Sequence, residues 1–285
     1  MLAPVDELAR FGRSFDLAPR FRADQLLVPP DSEGVLPANG RCNTFDGATR
    51  CIIEWDEWLM VRALITPAST VLELGARYGT TSCVLAEATR NSGNVVSVEP
   101  DARVHAHLRR NRDKHYCNFH IVRGTVSAVT LSQGRGGSYE TRTRIARKHD
   151  NHTLDNFALP ELERRIGSRF NTLLIDCEGC ILYVADDAFE RASLVLLEED
   201  ESGPVKVDYA GQYDRLSRFG FERFWRMRGS RKSGFAFGFH SAWRKRGASE
   251  LARLPSCTAY AERTGYNATL LDCAERLKSS QAFDS

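Results

Sequence analysis

The sequence lacks a long uncharged apolar segment. No stretch approaches the ~18 apolar residues that a membrane-spanning helix needs. Residues 1–15 contain acidic residues early and have no apolar run, unlike a secretory signal. We therefore expect no insertion into a membrane and a cytoplasmic location.

An excess of one charge is also absent. Lys and Arg number 39 against 37 Asp and Glu, so the net charge of +2 does not by itself indicate a polyanionic partner. Residues 135–148 form a locally basic run, RGGSYETRTRIARK. We interpret this run as a solvated loop, with contact to a nucleic acid or a phosphate group as the alternative. A nucleic-acid partner is not expected.

The eight cysteines do not have the dense spacing of a secreted disulfide scaffold. Cys177 and Cys180 form a C-x-x-C pair, but no second pair of ligands at suitable spacing completes a structural zinc site. The expectation is two small side chains packed at the end of a strand, and a redox dithiol is the alternative. No metal site is predicted.

The length of 285 residues suits one large α/β domain with extensions. We expect an irregular N-terminal extension over 1–50 with a short helix near 5–11. The main domain is predicted over 51–240, and a helical C-terminal extension over 241–285.

Short apolar runs alternate with helical patterns through the middle of the chain, which favours a parallel sheet covered on both faces. The predicted fold is a doubly wound, mostly parallel, seven-stranded Rossmann-like sheet that ends in an antiparallel hairpin. The predicted strands are 70–74, 94–98, 118–123, 171–175 and 193–197, with hairpin arms at 221–227 and 234–240. The predicted helices are 52–65, 80–90, 101–113, one within 153–167, 179–191 and 208–219.

The first strand ends in a glycine turn. Gly75 permits a sharp turn close to a ligand, and Gly79 allows the start of the next helix to come near it. Backbone N–H groups of such a turn, at the start of a helix, can bind a carboxylate such as that of a methionine moiety. In a doubly wound sheet, ligands bind at this edge.

The turn departs from the dinucleotide-binding fingerprint. G-x-G-x-x-G requires a glycine at the position of Arg77, so the turn is less suited to bind a pyrophosphate. Glu73 disfavours a phosphate but suits the cationic sulfonium of S-adenosylmethionine (SAM). Glu99, at the end of the second strand and 24 positions after Gly75, is suited to accept hydrogen bonds from two ribose hydroxyls. SAM and a nicotinamide cofactor both contain such a ribose, so Glu99 is compatible with either cofactor.

Two further acids follow the fourth strand. Asp176 and Glu178 are expected at the same edge of the sheet as the glycine turn. They could orient a substrate, hold a metal or accept a proton, or they could simply cap the next helix. His152 precedes this strand and is a candidate base because histidine titrates near neutral pH.

In four segments the sequence resembles the FkbM-type methyltransferases, over roughly residues 52–240. The segments are VLELGARYGTTS (71–82), VVSVEP (95–100), HTLDNF (152–157) and LLIDCEGCI (173–181). The resemblance implies a class I methyltransferase fold and SAM as the cofactor. It also implies transfer of a methyl group to a hydroxyl of a sugar, polyketide or other small molecule.

The resemblance also suggests functional positions. The predicted cofactor-binding residues are Glu73, Gly75, Ala76, Gly79, Glu99, Thr125 and Asp176, and the predicted catalytic residues are Asp176, Glu178 and His152. The sequence departs from the family at Cys180 and Ile181, where a small residue and a second glutamate are usual. This departure leaves a non-catalytic SAM-binding module as an alternative. The basic run 135–148 leaves an RNA or nucleotide methyltransferase as a second, and the shared type of fold leaves a nicotinamide oxidoreductase as a third.

Overall fold

The computed structural model describes residues 14–26, 45–47, 54–133, 143–150, 153–200, 205–228, 238–248 and 271–273. The helices in these ranges are α1 (Trp55–Leu64), α2 (Thr80–Ala88), α3 (His105–Lys114), α4 (Leu159–Ile166), α5 (Asp186–Arg191) and α6 (Tyr209–Arg218). The strands are β1 (Phe15–Asp16), β2 (Val71–Leu74), β3 (Val95–Glu99), β4 (His120–Arg123), β5 (Leu131–Gln133), β6 (Thr143–Ile145), β7 (Thr172–Ile175), β8 (Leu194–Asp200), β9 (Phe221–Arg228), β10 (Gly238–Lys245) and β11 (Leu271–Cys273). Ala23–Gln25 and Cys180–Tyr183 are 3-10 turns.

The main sheet has the strand order β1-β4-β3-β2-β7-β8-β10-β9-β11. Strands β2, β3, β4, β7 and β8 run parallel, and β10 inserts antiparallel between β8 and β9. This confirms the doubly wound, mostly parallel fold with a C-terminal antiparallel hairpin. The predicted number of seven strands is wrong, because β1 and β11 add antiparallel strands at the two edges of the described sheet.

Side chains alternate between the two faces of the sheet. Val95 packs in one core cluster and its neighbour Val96 in the other, as the two-residue period of a strand requires. Trp58 of α1 and Leu85 of α2 cover the first face, and Phe189 of α5 contributes to the core on the second. Helices therefore bury both faces of the parallel strands.

The strand order reverses between β2 and β7. From β2 the chain proceeds to β3 and β4 on one side, and it later enters β7 and β8 on the other. The loops after β2 and β7 separate at this point and leave a crevice at the carboxyl ends of the strands. The residues that follow these strands are therefore placed to contact a ligand.

Several local predictions are wrong. The helix predicted over 179–191 is divided into the 3-10 turn Cys180–Tyr183 and α5, because the backbone is extended at Ala185. The second hairpin arm, predicted over 234–240, is β10 and runs to Lys245. β1 lies in the predicted N-terminal extension and β11 in the predicted C-terminal extension, and the division of the chain into a main domain with two extensions stays a prediction.

The basic run is partly structured. Thr143–Ile145 pairs with Leu131–Gln133 to form a small antiparallel sheet, and Arg144 forms an exposed ion pair with Asp150. The helix predicted near residues 5–11 and the candidate base His152 lie outside the described residues.

Two disulfides occur among the described residues, Cys83–Cys117 and Cys177–Cys180. Cys177 and Cys180 follow the end of the strand Thr172–Ile175, as expected, and their covalent link agrees with the redox alternative. Within the described ranges, no helix combines the length and the apolar character that a bilayer crossing requires.

Candidate functional site

A cleft opens at the carboxyl ends of the parallel strands, with an empty volume of about 970 Å³ including its open mouth. The cleft lies at the point where the strand order reverses, with walls from the loops after β2, β3, β4 and β7 and from the β5–β6 sheet. Its lining includes Glu54, Leu74, Gly75, Arg77, Val98, Glu99, Thr125, Ser127, Leu131, Thr143, Asp176, Cys177, Glu178, Cys180, Tyr183 and Glu198.

The glycine turn brings the backbones of two strand ends into direct contact. The N–H groups of Gly75 and Ala76 both donate to the carbonyl of Val98, at 3.0 and 3.1 Å. Gly75 has a φ of +104°, and a Cβ built on it would lie 1.5 Å from the carbonyl oxygen of Asp176. The absence of a side chain at this position therefore lets the turn pack against the loop after β7.

Glu99 is held in one orientation by the backbone. One carboxylate oxygen accepts from the N–H of Arg77 at 2.8 Å, and the other accepts from the N–H of Asp101 at 2.7 Å. The Arg77 guanidinium pairs with Asp101 at 3.1 Å, which links the glycine turn to the segment after β3. Burial raises the pKa of Glu99 to about 7. Each oxygen keeps acceptor capacity for a ligand, because a carboxylate oxygen can accept more than one hydrogen bond.

Glu73 lies behind the cleft and is not among the described residues that line it. Its carboxylate is fully buried and accepts from the Ser82 hydroxyl at 2.6 Å. Burial raises the pKa of Glu73 to about 7. Direct contact of Glu73 with a cofactor stays a prediction, and in this structure the side chain joins β2 to α2.

The buried carboxyl of Glu73 predicts a pH dependence of stability. Between its ordinary pKa of 4.5 and about 7, the folded state holds a proton that the unfolded state has lost. Stability from this group is thus complete below pH 4.5 and lost as the pH rises through 7. We expect Glu73→Gln, which has no proton to lose, to be more stable than the native protein at pH 8 by up to about 3 kcal/mol. The two proteins should differ little at pH 5.

Urea unfolding at pH 5 and pH 8 measures this difference. Glu222→Gln is the matched control, because Glu222 is partly exposed and lies on β9 away from the cleft. Parallel pH profiles for the native protein and Glu73→Gln would contradict the prediction.

Glu54, Glu57 and Asp176 form a group of three carboxylates beside the cleft. One oxygen from each lies within 4.8 Å of the oxygens of the other two. Burial raises the pKa of Glu57 well above its ordinary value, and the charges of Asp176 and Glu54 raise it further. Oxygen ligands at this spacing could hold a divalent cation. No metal site was predicted from the sequence, and Glu54 and Glu57 were not expected beside Asp176.

The other predicted residues are placed as follows. Gly75, Glu99, Thr125, Asp176 and Glu178 all line the cleft. Thr125 donates its backbone N–H to the carbonyl of Asp155 at 2.7 Å, and its hydroxyl donates to Asn156 at 3.2 Å.

Two predicted cofactor residues are outside the described lining. Ala76 is buried in the turn, and Gly79 packs against Leu108 and Phe119 at the start of α2. Five predicted residues therefore line the described cleft, whereas Ala76 and Gly79 lie in the turn after β2 and do not line it.

Sequence reasoning did not identify Glu54 and Glu198 as cleft residues. Glu54 immediately precedes α1, and Glu198 lies in β8. The position of Glu198 near the carboxyl end of an apolar strand, like that of Glu99 in β3, was a usable signal. Glu54 had no such signal, because it comes from a helix start that only the tertiary fold brings to the sheet edge.

The described lining is strongly acidic. Five carboxylates, from Glu54, Glu99, Asp176, Glu178 and Glu198, line the cleft with the single guanidinium of Arg77. Carboxylates so arranged attract cationic ligands and repel phosphate groups. The cleft thus favours a ligand that is cationic or neutral over a polyanion.

No protein-family model and no curated protein matches the chain. Similar solved structures include an O-methyltransferase from Bacillus cereus in complex with SAH, at 13% identity over 67% of this chain and 81% of that chain, with a TM-score of 0.40. They also include the O-methyltransferase TomG from Streptomyces achromogenes in complex with SAM, at 12% identity, 67% and 80% coverage and a TM-score of 0.40. A third is fibrillarin from Aeropyrum pernix with natively bound S-adenosyl-L-methionine, at 14% identity, 66% and 73% coverage and a TM-score of 0.39. Membership of the FkbM-type family stays a prediction, and function must be inferred from the chain's own cleft.

Proposed function

We propose that the chain is a SAM-dependent methyltransferase that methylates a hydroxyl group of a small molecule. The observation that carries the proposal is the carboxylate of Glu99, which two backbone amides orient at the ligand edge beside the glycine turn. A carboxylate fixed in this way is suited to bind the two hydroxyls of a nucleoside ribose. Leu74 and Val98 give the same part of the cleft an apolar surface for a base.

The charges of the cleft favour SAM over a dinucleotide. SAM carries a sulfonium and an ammonium group, whereas a dinucleotide brings a pyrophosphate into an acidic lining. Arg77 also replaces the glycine that a pyrophosphate-binding turn requires. When bound, SAM supplies a methyl group that is already electrophilic.

The work left to the protein is to align the acceptor and to remove its proton. Asp176 and Glu178 line the cleft next to the glycine turn, so either carboxylate could accept the proton of an acceptor hydroxyl. Alignment of the two reactants removes orientational freedom and can contribute several kcal/mol to catalysis. The acidic lining also supports a small-molecule acceptor rather than RNA, because it would repel a phosphate backbone.

Calorimetric titration with S-adenosylhomocysteine tests the cofactor assignment. We expect micromolar binding to the native protein and about 10- to 100-fold weaker binding to Glu99→Gln. The glutamine side chain cannot form the hydrogen bonds between a charged carboxylate and the ribose hydroxyls. Hydrogen bonds to a charged group contribute about 1.5–3 kcal/mol. NAD should not bind.

Glu222→Ala is the control variant and should bind as the native protein does, because its partner Arg244 lies outside the lining of the cleft. Thermal melting of each variant separates lost binding from lost folding. If the folded native protein binds no S-adenosylhomocysteine, or binds NAD equally well, the cofactor assignment is wrong.

Methyl-labelled SAM tests the acceptor class. We expect label to appear on hydroxyl-bearing small molecules and not on RNA. Label on RNA would instead support the nucleic-acid alternative. A protein that binds SAM but labels no compound in a broad panel would support a non-catalytic module.

A further inference from the structure

The Cys177–Cys180 disulfide lies in the wall of the proposed cofactor cleft. Both cysteines line the cleft, are half-buried, and flank Glu178 and Gly179. The other described disulfide, Cys83–Cys117, has both residues fully buried. A reductant can therefore approach the first bond from the cleft, whereas the second is shielded by the core.

The disulfide closes a short loop with an unusual backbone. Glu178 has a φ of +53° and Gly179 a φ of +96°, so two successive residues adopt the left-handed conformation. This conformation is disfavoured for a residue with a side chain such as Glu178. The covalent link between the flanking cysteines restricts the alternatives that the loop could adopt. Reduction removes this restriction and permits Glu178 to leave its position in the cleft wall.

The same loop supports the glycine turn. The N–H of Asp176 donates to the carbonyl of Leu74 at 3.0 Å, and the Asp176 carbonyl lies against Gly75. A rearrangement of residues 177–180 would therefore shift the backbone of Asp176, which contacts Leu74 and Gly75 at the glycine turn. Val205 and Val207 pack against Gly179, since a Cβ built on this glycine would lie 3.0 and 3.2 Å from their side chains.

We infer that Cys177 and Cys180 form a reversible dithiol–disulfide site whose reduction by a dithiol weakens binding in the cleft. A thiolate of the reductant attacks one cysteine sulfur, the Cys177–Cys180 bond breaks, and the other cysteine leaves and takes up a proton. The second thiolate of the reductant then displaces the remaining cysteine. Two electrons and two protons pass to the cysteine pair, and the dithiol becomes a disulfide.

Native-state alkylation with peptide mapping tests the redox site directly. After treatment with dithiothreitol, we expect Cys177 and Cys180 to be alkylated and Cys83 and Cys117 to remain protected. Treatment with oxidised glutathione should restore protection at the first pair. Alkylation of Cys177 and Cys180 without reductant, or their protection after it, would overturn the inference.

Titration with S-adenosylhomocysteine tests the consequence, which rests on the proposed function. We expect reduction to weaken binding at least threefold and reoxidation to restore it. The Cys177→Ser/Cys180→Ser variant should bind like the reduced protein with or without dithiothreitol. The Cys83→Ala/Cys117→Ala variant is the control and should keep the response.

Hydrogen exchange distinguishes a failure of the proposed redox control from a failure of the proposed SAM-binding function. Amides of residues 178–182 should exchange faster in the reduced protein, whether or not S-adenosylhomocysteine binds. Faster exchange without binding in either redox state would contradict the proposed function alone. Unchanged exchange and unchanged affinity after proven reduction would overturn the control of the cleft by this disulfide.

Discussion

Gly75→Ala is expected to lower the free energy of unfolding by about 2–6 kcal/mol and to abolish ligand binding. A Cβ at this position would lie 1.5 Å from the carbonyl oxygen of Asp176 and 2.7 Å from its carbonyl carbon. These are backbone atoms that follow β7, so they cannot move aside as a flexible side chain could. Overpacking of about 1–3 kcal/mol adds to strain of about 1–3 kcal/mol at a φ of +104°.

Gly93→Ala is the matched control for this experiment. Gly93 has a similar φ of +82°, but a Cβ added to it would have no described atom within 4 Å. Only the conformational penalty should remain, at about 1 kcal/mol. Urea unfolding of both variants measures the difference. Equal losses of stability would mean that the contact with Asp176 is not the reason for glycine at position 75.

The parallel part of the fold could be predicted because its signals are local. Buried parallel strands are short apolar runs, and each is followed by a helical pattern that covers the sheet. The run TVLEL, for example, contains β2, and the glycines after it mark the turn into α2.

The edges of the sheet could not be predicted in this way. β1 has two residues and β11 has three, and each depends on pairing with a strand far away in the chain, β4 and β9 respectively. Strand pairing of this kind is decided by tertiary contacts rather than by local propensity. The limits of β10 were misjudged for the same reason, since its length follows its pairing with β8.

The candidate site was predictable where its residues follow strand ends. Glu99, Asp176 and Glu178 come together because the carboxyl ends of parallel strands meet at one edge of the sheet. Glu73 lies within β2, and the two-residue period of a strand points its side chain to the face of the sheet opposite the one that Leu72 and Leu74 face. It therefore lies on the face of the sheet that α2 covers, where it accepts a hydrogen bond from Ser82.

Glu199→Ala is expected to destabilise the protein by about 3–5 kcal/mol. Glu199 is fully buried in β8, and one of its oxygens accepts hydrogen bonds from Tyr213 at 2.5 Å and from Arg226 at 2.6 and 2.8 Å. Burial and the Glu199 charge raise the pKa of Tyr213, as expected when its hydroxyl donates to a carboxylate. Removal of the carboxylate leaves a guanidinium and a hydroxyl without this acceptor in a largely buried region.

The matched control is the exposed pair of Arg244 and Glu222, which also joins an arginine to a glutamate, at 2.8 Å. Both side chains are more than two-fifths exposed, so solvent screens their attraction, and Glu222→Ala should cost less than about 1 kcal/mol. Guanidinium unfolding of the two variants measures the contrast. Because Glu199 does not line the described cleft, S-adenosylhomocysteine should bind to folded Glu199→Ala with native affinity. A loss of stability no larger than that of Glu222→Ala would contradict the predicted cost of removing this buried carboxylate. A selective loss of binding would mean that Glu199 also serves the ligand site.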